Sequence, residues 1–268
     1  MHPLEQLALD VATGRTSPRE GERAAALLAD REAVTGADLL AWFKTAQWLA
    51  HREDQWERAL LLGRLLAAAV EALPASTPPY DRARCRSAWT ELVHLCLVHR
   101  PDGDLFAAGV RAGCEALLAA RELGDDDLVG QTLYRLGTLY LDLFSRARDL
   151  WWEEHRLWLS LGPEETLAGL PEPYEALDTA EGYLREAVAL RTGAGRGYAC
   201  KALAQALQQR GFLARADGGE GAGLENSTGS PDSVTALCDQ ALGLIPADDL
   251  VARANVEAIR SAEPSPAA

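Results

Sequence analysis

The chain has little lysine, few β-branched or aromatic residues and no long apolar run, and each shortage closes off a class of protein. Lys44 and Lys201 are the only lysines among 26 basic residues; 40 acids outnumber those bases, for a formal net charge of −14. A field of that sign repels phosphate backbones and anionic headgroups, so neither nucleic acid nor a membrane surface is an expected partner. The longest apolar stretch, ALLLGRLLAAAV, is cut by Arg64 and is too short to span a bilayer. The opening MHPLEQLALD has no basic region followed by an apolar core, so no signal peptide is expected.

Cysteine is sparse and unpaired in pattern. Cys85, Cys96, Cys114, Cys200 and Cys238 are odd in number, scattered and without a CxxC, which fits a reducing cytoplasm. His94, Cys96 and His99 lie close in sequence, but on a helix His94 falls on the far side from Cys96, and there is no HExxH. No metal or other cofactor is therefore expected. The run Gly124 to Asp127 reads as an acidic helix start favoured by the macrodipole. TGAGRG, residues 192–197, follows a helical pattern and lacks the Lys-Ser/Thr of a Walker loop, so it reads as a helix-to-helix turn. No Gly-x-Ser-x-Gly appears and no Ser or Cys is paired with a His at a recognisable spacing, so no catalytic residue is assigned.

What is present is mostly alanine and leucine, within an apolar share of 48%. That choice favours helix over sheet, and no segment alternates with period two, so no strand is expected. Ser17-Pro18-Arg19-Glu20 is a capping box opening a helix to about Asp30. Further helical patterns cover about Asp38 to His51, Asp54 to Leu73, Asp81 to His99, Asp104 to Leu123, Asp126 toward Leu161, Glu175 to Arg191 and Gly197 to Gln209. Ser230-Pro231-Asp232 starts another. Prolines and glycines in ALPASTPPY, RPDG and LGPEETLAGLPEPY break the periodicity. The Gly-rich stretch at about 214–230 predicts a mobile loop, and about 261–268 a frayed tail.

Helices arriving in pairs suggest a repeat. Trp89, Leu92, Val93 and Cys96 occupy the slots of a W-x2-L-G-x2-Y pattern, and Leu133, Leu136, Gly137 and Tyr140 occupy them again with the Gly and Tyr in place. Leu203, Ala204, Leu207 and Gly211 fit the later part of a first helix, and Ala241-Leu242 with Pro246 the end of a second. The chain thus resembles the tetratricopeptide-repeat family, of the kind found in bacterial regulatory proteins. The likeness is specific over about 120–140 and 197–246, and the spacing departs from the family's regular period. It implies an all-α, antiparallel helix-pair solenoid in one domain over 1–268, with a middle repeat elaborated by an insertion at about 142–175. Gly137 should let the paired helix approach closely, with Ala180 and Ala187 doing the same from the second helix.

In that family the first helices line a groove that takes a peptide or partner helix. Carried over by slot, the groove residues are Thr90 and His94, Tyr134 and Thr138, and Lys201, Gln205 and Gln208; Phe43, Gln47 and His51 join them if Trp42 opens an earlier repeat. The expected activity is that of an adaptor or scaffold, not an enzyme, for another protein or peptide carrying basic residues at the contact. An all-helical enzyme with a cleft near the insertion, and a ligand-sensing domain of a regulator, are the alternatives.

The insertion contains RDLWWEEHRLWLSLG, where Leu150, Trp151, Trp152, Leu157, Trp158, Leu159 and Leu161 make an apolar arc too wide to bury against one neighbour. Core wedged between two helical layers and a docking surface both account for it. On the second reading Trp151, His155 and Trp158 touch a partner. Catalysis by Glu154 and His155 is disfavoured, because adjacent helical residues point about 100° apart.

Overall fold

The computed structural model describes residues 3–31, 34–100, 102–157, 170–171, 173–216 and 233–261. Among them are eleven α-helices and no strand, so the chain is all-α as expected. In order they are α1 (Pro3–Ala12), α2 (Pro18–Asp30), α3 (Gly36–Ala50), α4 (Trp56–Glu71), α5 (Pro79–Leu97), α6 (Gly103–Leu123), α7 (Asp126–Leu157), α8 (Pro173–Leu190), α9 (Gly193–Ala216), α10 (Val234–Leu244) and α11 (Leu250–Ser261). Among the described residues, none is long and apolar enough to cross a membrane.

Local chemistry sets the ends. Ser17 Oγ accepts from the Glu20 amide at 3.4 Å while Glu20 Oε2 accepts from the Ser17 amide at 3.1 Å, which is the expected capping box. Thr35 and Asp38 form a second box at the start of α3, with Asp in place of the longer Glu. Asp102 caps α6, and Gly124 at φ +67° closes it in the left-handed region that glycine adopts without penalty.

Several helix boundaries differ from the sequence pattern. The expected cap at Ser230 to Asp232 lies outside the described residues except for neighbouring Ser233, whose Oγ accepts from the Ala236 amide at 3.2 Å and is the cap of α10. α1 and α11 are additional helices; Asp249 Oδ1 caps α11 by accepting from the Ala252 amide at 3.0 Å. Residues 214–216 of the expected loop continue α9, while 217–230 lie outside the described residues, as do 262–268 of the tail. The helix-to-helix turn expected at TGAGRG lies at its start, where residues 191–192 join α8 to α9 and Gly193 has φ +50°; α9 begins at Gly193, earlier than expected, and a methyl built on Gly197 would lie 3.0 Å from Leu244 Cβ and Ile245 Cγ1. That glycine serves the approach of α10 to α9.

Two compact units make up the chain, Met1–Leu128 with Ser145–Leu170, and Val129–Phe144 with Pro171–Ala268. In the first, α5 packs against α3, α4 and α6, while α1 and α2 pack against α4. α5 is buried nearly all round, through Ala83, Cys85, Ser87, Ala88, Trp89, Thr90, Leu92, Val93, Cys96 and Leu97. Buried positions fall all round this helix, and the polar side chains between them, such as Arg86, Glu91 and His94, are half-buried. Gly63 lets α4 come close, since a methyl there would sit 2.6 Å from Trp89 Cζ3.

In the second unit, residues 129–144 of α7 lie against α8, α8 against α9, α9 against α10, and α11 against both α10 and α9. Small residues stand at the crossings. A methyl on Gly137 would lie 2.6 Å from Leu184 Cγ and 3.3 Å from the Ala180 carbonyl oxygen, and Ala180, Ala187 and Ala241 are fully buried. Leu141, Leu177, Leu184, Leu203, Leu237 and Val256 fill the core between these helices.

Candidate functional site

The residues expected to line a groove fall into two groups, one in each unit. In the first unit most of them are structural. Thr90 is 0% exposed, and its hydroxyl lies 3.0 Å from the Gly109 carbonyl of α6 and 3.2 Å from the Arg86 carbonyl of its own helix. This corrects the groove assignment of Thr90: α6 covers the side of α5 on which a partner would lie. Phe43 is also fully buried, with its ring centroid 6.5 Å from that of Trp89. Gln47 Nε2 donates to the Ala88 carbonyl at 2.9 Å, tying α3 to α5. His94 is half-buried and His51 is the exposed C-cap of α3.

In the second unit the expected residues keep some access to solvent. Tyr134 and Thr138 on α7, and Lys201, Gln205 and Gln208 on α9, are all half-buried. The guanidinium of Arg191 lies 4.9 Å from the Tyr134 ring centroid, a cation–π contact that covers one face of the ring. Gln208 has a structural task, since its Nε2 donates to the Ile259 carbonyl of α11 at 3.0 Å. Near Lys201, Tyr198 Oη donates to Asp249 Oδ2 at 2.6 Å. That hydrogen bond, with the Ala252 amide and the Lys201 charge behind it, holds the Asp249 carboxyl below its ordinary range, and the same bond raises the Tyr198 phenol.

Sequence reasoning did not find the cleft between α4 and α6 in the first unit. It encloses about 490 Å³ over a floor of Cys85, Arg86 and Trp89. Arg86 binds Glu71 of α4 through two hydrogen bonds of 2.9 and 3.0 Å and pairs with Glu115 of α6 at 3.2 Å. Those contacts, the Glu71 hydrogen bonds first, raise the guanidinium pKa against the opposing effect of burial. The three residues are far apart in sequence and carry no motif, so only the packing of three helices brings them together. Burial pushes the neighbouring Cys85 thiol up to about 12, so it stays protonated at neutral pH and is a poor nucleophile.

Of the tryptophan-rich stretch, only the backbone of residues 148–157 is described. Trp151 and His155 lie on the last turns of α7, where the side chains are outside the described residues, and Trp158 lies outside them altogether. Among the described residues no group of three or more His, Cys, Asp or Glu is placed to hold a metal ion. The chain matches no family model, no curated protein and no solved structure.

Proposed function

We propose that the protein is an interaction scaffold of the tetratricopeptide-like kind, a cytoplasmic bacterial adaptor that holds a partner along the first helices of its second unit. The observation that carries this reading is the seam at Gly137, where the Leu184 side chain occupies the space a Cβ would need. A bare backbone at that slot is what the repeat pattern requires of a first helix meeting its second. The pairings of α7 with α8 and α9 with α10, followed by α11 as a closing helix, support the same reading. On it, Tyr134, Thr138, Lys201 and Gln205 face the partner, while Thr90 and Gln208 hold helices together. Rigid stacked helices offer these groups already ordered, which lowers the entropic cost of binding. The net charge of −14 favours a partner with basic residues near the contact.

The test is co-purification with the native protein, repeated with Lys201→Glu and Tyr134→Ala. A partner held by the wild type should be lost from both variants. Retention of every partner by both, in folded protein, would rule out the groove. Substituting Trp151 and Trp158 separates the two readings of the insertion: lost folding assigns them to core, and intact folding with lost binding assigns them to a contact.

A further inference from the structure

The cleft between α4 and α6 holds an ion cluster that does not balance. Glu71 grips Arg86 through two parallel hydrogen bonds, one to Nε at 3.0 Å and one to Nη2 at 2.9 Å. Glu115 is left to share Nε, which its Oε2 meets at 3.2 Å. One guanidinium therefore answers two carboxylates, and the charge left over falls to Glu115, whose side chain is 45% exposed and lines the cleft. The remaining charges of the lining, Arg64 and Arg111 against Glu22 and Asp104, cancel in number. Cys85 on the floor donates its thiol to the Gly36 carbonyl at 3.3 Å and adds no charge. The cleft as a whole thus carries one surplus negative charge, inside a protein whose own sum is −14. Local and distant charge select the same sign of ligand, and an anion is repelled by both.

The walls select its body. Ala67 and Ala68 of α4 and Ala108 and Ala112 of α6 are short and carry no hydrogen-bonding group, with Leu105 and Trp89 between the helices. The space of about 490 Å³ that these short side chains leave open is the size of a small-molecule site. We propose that the cleft binds a small organic cation with an aliphatic body. Its ammonium or guanidinium group donates to Glu115 beside Arg86, and its carbon chain lies along the alanines. The added cation relieves the repulsion between the carboxylates of Glu71 and Glu115, which neither an anion nor a neutral chain of the same length does. The site lies wholly in the first unit, so it stands or falls apart from the groove of the second.

The experiment is a nuclear magnetic resonance titration of the full chain with hexylammonium, hexanoate and hexanol, three probes of equal carbon length. Hexylammonium should bind at least about tenfold tighter than the other two, shifting signals of α4 and α6. Glu115→Gln should weaken it about tenfold, and Ala112→Leu, which fills the cleft from one wall, by at least as much, with melting curves showing intact folding. Should Ala112→Leu fail to fold, the exposed Glu115→Gln carries the test. Glu57→Gln removes the same charge from an exposed position on α4 outside the cleft lining and should leave binding within about twofold. Three results overturn the proposal: hexanoate or hexanol binding as tightly as hexylammonium, undiminished binding in Glu115→Gln, or equal weakening in Glu57→Gln. The last would mean that the cation is held only by the acidic surface at large.

Discussion

In the first unit the helix carrying the Trp89 pattern is enclosed by α3, α4 and α6, whereas in the second the helix carrying the Leu133 pattern keeps Tyr134 and Thr138 half-buried. The two helices have similar spacings of large and small residues. They differ at two polar slots. Ser87 and Thr90 of α5 are buried where Gln131 and Tyr134, in the same slots of α7, are half-buried; Glu91 and His94 are half-buried like Arg135 and Thr138, and α7 buries Thr132. A repeat pattern therefore reports how a helix meets its pair, and a polar stripe has to be read separately before the opposite side is treated as open.

The contrast breaks most visibly at Trp89, which is 7% exposed and packs between Phe43 and Gly63. Trp89→Ala should cost about 4 kcal/mol in chemical denaturation, through lost burial and the cavity left behind. Hydrogen exchange should then quicken in α3 to α6. Equal quickening in α9 and α10 would deny that the two units have separate cores.

The second unit is tested at its crossing. Gly137→Leu gains about 0.8 kcal/mol of helix propensity but forces a large side chain against Leu184 and the Ala180 backbone, at up to about 3 kcal/mol. A net loss of about 2 kcal/mol is expected, with exchange quickening in α8. Because the partner residues sit on the same helix, partner capture should fall with it. An unchanged or raised melting temperature would remove Gly137 from the seam.

How much of this was legible follows from the range of the interactions. The Ser17 cap and the Gly137 crossing were readable because each depends on residues a few positions away or on one slot in a pattern. The turn between α8 and α9 was readable but the crossing at Gly197 was not, since a glycine at a distant crossing looks in sequence like a glycine in a turn. The ion cluster of Glu71, Arg86 and Glu115 was invisible, because no spacing rule joins three separate helices.

The smallest expected effect separates an enclosed threonine from an accessible one. Thr90 and Thr138 each place a hydroxyl within hydrogen-bonding distance of a carbonyl of the same helix, Arg86 at 3.2 Å and Arg135 at 3.1 Å. Only Thr90 also reaches across to another helix, at Gly109. Valine matches threonine closely in shape and helix propensity, so replacing each isolates the hydroxyl. At Thr90 the lost bond bridges two buried helices, and about 1 kcal/mol should disappear. At Thr138 water can replace the bond, and the change should fall within about 0.5 kcal/mol of zero. Chemical denaturation of the two variants side by side measures the difference. If Thr138→Val cost as much as Thr90→Val, α7 would be as enclosed as α5, and the second unit would have no open row of polar residues to offer a partner.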